Sequence, residues 1–247
     1  MSSNRCPGCK ARLDRKKRFC ANCGYRIQDR VEHTTQRAVL AILCIFGGVL
    51  AVLSFGALWQ PLEYSTASTF LRDQLLMTLG VAGCAVPALI LLGGGSWKAS
   101  FGGSCTWKDL GLGVLVGLAC FLASFVYVEL LLLLAGEEEM EIAELVGFEA
   151  SYGVLWIAMV LLPALSEEWT DRGVLWIALR RVTGPGATVF CTALLFAFMH
   201  GLNGGGLFEA PHRFLVGLGL GWLRLRSGSL WPGILAHGVL NTLAISI

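Results

Sequence analysis

The eight residues Ser166 to Gly173, SEEWTDRG, place two adjacent glutamates, an aspartate and an arginine inside an otherwise apolar run. The flanks read YGVLWIAMVLLPAL before it and VLWIAL after it, together long enough for a bilayer span of about 20 residues. One charged side chain at mid-depth costs about 3 kcal/mol on insertion scales, so four together require mutual pairing, water or both. On an α-helix Glu168 and Arg172 are four residues apart and can pair, while Glu167 and Asp171 share a second face turned by about 100°. One carboxylate is thereby held by an arginine and another is left free. The competing reading is a solvated loop between two shorter helices. The rest of the chain weighs against it.

With 55% hydrophobic and 15% charged residues and a mean hydropathy of +0.66, the chain lies outside the range of soluble globular domains. The expected fold is an all-α polytopic membrane protein, a bundle of about seven transmembrane helices carrying a small N-terminal module. The net charge of +2 conceals an asymmetry. Residues 1–37 hold ten of the nineteen Lys and Arg, against Asp14, Asp29 and Glu32. The first apolar run begins only after Arg37 and has no small-residue cleavage pattern behind it, so the N-terminus is expected in the cytoplasm and the body in the inner or plasma membrane.

Within that basic module Cys6-Pro-Gly-Cys9 and Cys20-Ala-Asn-Cys23-Gly24 form two CxxC knuckles ten residues apart. Four thiolates at this spacing make a tetrahedral zinc site, and the metal supplies folding energy that so small a unit cannot draw from a core. Redox pairs and disulfides are the alternatives, disfavoured in a reducing compartment. Residues 1–30 are thus expected to be a zinc ribbon with structural zinc, since four protein ligands leave no position for a substrate. Residues 31–37 form a basic juxtamembrane linker, and 38–247 the transmembrane bundle. The run Arg15-Lys16-Lys17-Arg18 reads as a topology signal beside the first span. It lacks interleaved aromatics for base stacking, so no nucleic acid is expected as a partner.

Apolar windows at about 38–59, 74–95, 110–135, 152–179, 186–205, 212–226 and 229–246 supply the seven candidate helices. The sixth is short and holds Arg213, Arg224 and Arg226, so it reads as either tilted or interfacial. With the N-terminus inside, the cytoplasmic connections carry Lys98, Lys108, Arg180, Arg181, Arg224 and Arg226, whereas 136–149 is rich in glutamate. That distribution obeys the positive-inside rule. The remaining cysteines have no ligand spacing and read as small packing residues.

The last spans add polar groups: Phe196 and His200, then Asn203, then His237 and Asn241 one turn apart on one helix face. A lone histidine in an apolar helix is usually a satisfied core residue. Beside Glu167 and Glu168 the balance changes, because polar groups in spans face the bundle interior and find one another. Two carboxylates, two imidazoles and an amide are the requirements for activating water and stabilising an oxyanion.

The three motifs EExxxR (Glu167, Glu168, Arg172), FxxxH (Phe196, His200) and HxxxN (His237, Asn241), in this order on successive hydrophobic segments, resemble those of the CPBP intramembrane endopeptidases. That family includes CAAX prenyl proteases and bacteriocin-processing or self-immunity proteins. The resemblance covers about residues 110–247, with the ribbon as an added module. It implies that Glu167 is the general base on the attacking water. His200 and His237 would orient that water, or ligate a divalent metal together with Glu167. Asn241 would stabilise the oxyanion, and Glu168 with Arg172 would hold the geometry. One departure is Asp171, where the family usually has an aromatic residue: a like charge one turn from Glu167 would retune the base unless it faces water or a cation.

The expected activity is hydrolysis of a peptide bond in a membrane-anchored or lipid-modified peptide. The partners are the lipid bilayer, that substrate, and a cytoplasmic protein docking on the ribbon. The alternative is a non-catalytic membrane scaffold or bacteriocin self-immunity protein that uses the ribbon for docking. A transporter is the weakest reading, since the two halves show no matching pair of broken helices.

Overall fold

The computed structural model of the protein describes residues 6, 9, 11, 20, 22–24, 31–59, 67–93, 96–135, 151–202 and 206–246. The Arg15 to Arg18 run, the glutamate-rich 136–149 connection and Asn203 lie outside the described residues. Eight helices follow one another, and no strand occurs among the described residues. They are α1 (Val31–Trp59), α2 (Ala67–Leu92), the short α3 (Ser96–Phe101) and α4 (Trp107–Ala135). After them come α5 over 152–180, α6 (Pro185–His200), α7 (Gly206–Ser227) and α8 (Trp231–Ala244).

Each of the seven apolar windows holds a helix among the described residues, and the chain is an all-α membrane protein. Three stretches are by themselves long and apolar enough to cross a bilayer: Thr35–Ser54, Ser68–Leu92 and Trp107–Leu134. Few residues of the last are fully buried: one side, with Leu112, Val116, Cys120 and Phe121, packs on the bundle, and exposed Leu115, Leu122, Val126 and Leu133 are left for lipid. The helices of the other four windows are shorter or carry charge, and they are sheltered by packing. Two boundaries move from the expectation. The segment 31–37, read as a linker, forms the first turns of α1, and α2 starts at Ala67 rather than near 74.

Among the described residues, two larger apolar clusters and a smaller one of Phe70 and Ala158 build the interior of the bundle. Ala41, Ile45 and Val49 of α1 meet Val81, Ala85 and Ala88 of α2 and the end of α5, residues 174–179. Phe196 of α6, Val216, Leu220 and Leu223 of α7 and Ala236 and Leu240 of α8 form the second large cluster. The charged part of α5 lies between these two. Where no water drives association, small residues allow helices to approach closely. A Cβ on Gly113 of α4 would lie 2.6 Å from the Pro232 carbonyl of α8, and one on Gly217 of α7 would lie 2.7 Å from the Ala193 Cα of α6.

Arg180, Arg181 and Arg224 lie at one end of the bundle. Arg181 Nη2 donates to the Leu92 carbonyl at 3.0 Å and the Ser96 hydroxyl at 3.2 Å, and Arg224 Nη2 donates to the Ala99 carbonyl at 2.9 Å. Gly24 of the cysteine module packs against Ile177 and Arg180 at the same end.

Candidate active site

The helix α5 alternates between α and π winding. Its pieces are Tyr152–Leu155 (α), Trp156–Leu161 (π), Leu162–Glu168 (α), Trp169–Leu175 (π) and Trp176–Arg180 (α). Widened π turns of this kind concentrate at functional sites. Here the second one starts directly after Glu168, so the two glutamates close an α piece and Asp171 and Arg172 lie in the wide turn.

Glu168 and Arg172 are both 0% exposed, and Arg172 Nη1 donates to Glu168 Oε1 at 2.9 Å. Arg172 Nη2 donates to the Gly217 carbonyl at 3.3 Å, and its guanidinium carbon stands 4.5 Å from the centre of the Phe196 ring. Glu168 Oε1 also faces His237 Nδ1 at 3.2 Å. A carboxylate only accepts, so Nδ1 carries the proton. Phe196 packs its ring 4.3 Å from His200 and 5.8 Å, edge-on, from His237. The FxxxH phenylalanine therefore spaces the two imidazoles and covers the arginine.

Glu167 and His200 open instead onto a cavity of about 190 Å³ lined also by Gln74 and Thr78 of α2 and by Ser166 and Asp171. His200 Nδ1 lies 2.8 Å from the Phe196 carbonyl, which cannot donate. The proton therefore sits on Nδ1 and the Nε2 lone pair points onward. Nε2 faces Glu167 Oε2 at 3.7 Å, and that oxygen has no hydrogen-bond partner within the protein. Two acceptors facing each other across a polar gap are satisfied by a donor with two O–H groups, which is what water offers.

The sequence-selected residues thus divide. Glu167 and His200 share the cavity, and Glu168, Arg172 and His237 form a buried triad behind it. Asn241 stands apart from the cavity wall, its Nδ2 donating to the Met159 carbonyl of the first π stretch at 3.0 Å. Asp171 lines the cavity, as a second carboxylate would have to if it faces water, and its Oδ2 lies 3.6 Å from Arg172 Nη1. Of the two conditions that would relieve its repulsion with Glu167, the nearby cation is present in Arg172. Gln74 and Thr78 were not singled out by sequence reading. Their signal was two polar residues four apart in an apolar span, hence on one helix face.

Glu167, His200 and His237 are not gathered on one ion in this structure: the Nδ1–H that His237 gives to Glu168 leaves its Nε2 free, but His237 does not line the cavity that Glu167 and His200 share. Among the described residues, the cysteines are the one set of three or more potential ligands gathered closely enough for an ion.

The ribbon cysteines do fit a metal. The sulfurs of Cys6, Cys9, Cys20 and Cys23 all lie within 4.8 Å of one another. Cys6 and Cys23 are 3.5 Å apart and Cys9 and Cys20 are 3.6 Å apart. Tetrahedral zinc with bonds of about 2.3 Å puts its sulfurs about 3.8 Å apart, so the quartet is already at the right size. A hydrogen bond from Cys23, outweighing burial, holds the Cys20 thiol down at about 5, which favours the thiolate that a metal requires. These four side chains would hold a zinc ion, whose contribution is to order the module.

Residues 149–243 match the family model of the type II CAAX prenyl endopeptidase Rce1-like proteins. The matched stretch contains the charged part of α5, the α6 histidine and the HxxxN pair, so the resemblance carried by the three motifs is found there, over a shorter range than the expected 110–247. The family implies an intramembrane protease acting on a membrane-associated substrate. No curated protein and no solved structure matches the chain.

Proposed function

We propose that the protein is an intramembrane endopeptidase using a glutamate-activated water, with Glu167 as general base. The observation that carries this reading is the pair of facing acceptors, Glu167 Oε2 and His200 Nε2, 3.7 Å apart at a cavity inside the bundle. A water bound there donates one O–H to each, leaving its lone pairs directed at a substrate carbonyl. As the oxygen attacks, its proton passes to Glu167. The carbonyl oxygen becomes an oxyanion; Asn241, the donor that the motif resemblance implies, stands apart from the cavity with its amide on the Met159 carbonyl, so it serves this oxygen only if its side chain turns inward when substrate binds. Collapse breaks the C–N bond, and Glu167 returns the proton to the leaving amine. The triad Glu168, Arg172 and His237 fixes the backbone that carries Glu167. No step is routed through an active-site metal.

The substrate is a membrane-anchored or lipid-modified peptide. Leu53, Met77 and Met199 give the cavity an apolar flank suited to such a chain, and the polar side is formed by the catalytic groups and α2. The ribbon end, where Arg180, Arg181 and Arg224 lie, is the cytoplasmic face. In proteoliposomes offered a panel of membrane-anchored, lipid-modified reporter peptides, Glu167→Gln and His200→Ala should each lower cleavage by about a hundredfold or more with melting of the protein unchanged. Full activity in either variant would sink the assignment.

A second reading is supported by Asp171, an uncommon second carboxylate on the same cavity: a non-catalytic scaffold or immunity protein. It wins if the cellular phenotype survives Glu167→Ala but is lost when Cys6 and Cys9 become serine.

A further inference from the structure

We propose that the Cys20 to Gly24 knuckle is a metal-dependent clamp on the membrane body, with Asn22 as the positioning residue that links ribbon to bundle. Asn22 faces two ways. Its Nδ2 donates to the ligand sulfur of Cys9 at 3.5 Å, so it belongs to the surroundings of the metal site. Its other side lies in a seat made by two turns of the body. Any side chain on Gly103 would collide with Asn22 Oδ1, and any on Gly228 with the Asn22 amide. A Cβ at either seat position would take the space the knuckle occupies, and Gly228 also adopts φ 70°, a conformation that itself favours glycine.

The seat is itself tied together. Gly103 N–H donates to the Gly228 carbonyl at 3.0 Å and Leu230 N–H to the Phe101 carbonyl at 3.0 Å. Arg224 is 2% exposed, and its guanidinium donates to the carbonyls of Gly228, Ala99, Ser100 and Phe101 at 2.8 to 3.4 Å. One buried cation thereby holds the end of α3 against the α7–α8 turn. From α3 the contact passes to the site. Trp169 Nε1 donates to Ser100 Oγ at 3.0 Å, and a Cβ on Gly173 would lie 3.1 Å from the Ser100 carbonyl. Trp169 and Gly173 bracket Asp171 and Arg172 in the second π stretch.

A knuckle of this size is ordered by its metal, so metal loading is the two-state element that the chain needs to transmit a signal. Loaded, the ribbon seats Asn22 and steadies α3 and the π stretch. Stripped of metal, it leaves the seat open and the π stretch loosens. The inference stands on the ribbon geometry and does not depend on protease activity.

Amide hydrogen exchange on the detergent-solubilised full chain tests it. Removing zinc with a chelator should speed exchange on the order of tenfold in peptides covering 99–103, 227–230 and 169–175. Asn22→Ala and Gly103→Leu, each still holding zinc by metal analysis, should already show the faster exchange and gain nothing more on chelation. If Asn22→Ala loses the metal, Gly103→Leu, which lies outside the ribbon, decides alone. Exchange over 169–175 that ignores chelation, or that responds equally in the intact chain and in Gly103→Leu, overturns the proposal.

Discussion

At the scale of single residues, the site is governed by how four charges share one helix. Glu168 and Arg172, both fully buried, pair with each other, as their i, i+4 spacing allows. Removing one partner strands the other in a low dielectric. Arg172→Met should therefore destabilise the protein by about 3–5 kcal/mol, seen as a fall in the melting temperature of the detergent-extracted chain. Arg172→Lys should recover only part of that, since a point charge cannot serve both the Glu168 carboxylate and the Gly217 carbonyl as the fork does. What the sequence could not disclose is the division of labour between the histidines. Spacing puts His200 and His237 near the glutamates, but which carboxylate each meets depends on where its ring turns across helices. His200 meets Glu167 and His237 meets Glu168. Gln74 and Thr78 were hidden for a related reason, since nothing local tells which face of α2 looks at α5.

At the scale of elements, hydropathy located every long helix because twenty apolar residues have few other uses. The six residues of α3 escaped because SWKASF is too short to show a period, and the π stretches escaped because their i to i+5 bonds leave no compositional trace. Yet those two features are what bring Asp171 and Arg172 to their places. Helix contacts offer a test with a built-in control. Gly217→Val inserts atoms where a Cβ already meets the Ala193 backbone at 2.7 Å, and shifts the carbonyl that holds Arg172. It should cost roughly 1–3 kcal/mol in thermal unfolding. Gly47→Ala in α1, with nothing within 4 Å of the new methyl, should leave the melting temperature unchanged or slightly raised.

At the scale of the whole molecule, two modules are joined, and each was visible in its own alphabet: cysteine spacing for the ribbon, hydropathy and three motifs for the bundle. Their junction was not visible, because Asn22 against Gly103 and Gly228 is a match of shapes between positions far apart in the chain. The ribbon should bind about one zinc ion per chain, lost when Cys6 and Cys9 become serine and retained in Glu167→Ala and His200→Ala, as elemental analysis of purified protein would show. The central claim is that Glu167 activates water to cut a peptide bond within the membrane, and the most direct test is profiling of new peptide termini in membranes of cells carrying the intact protein or Glu167→Ala at equal levels. Termini present with the intact protein and absent with Glu167→Ala are the predicted result, and they identify the cut site at once. Identical sets of termini from the two would contradict the account and leave a membrane scaffold in its place.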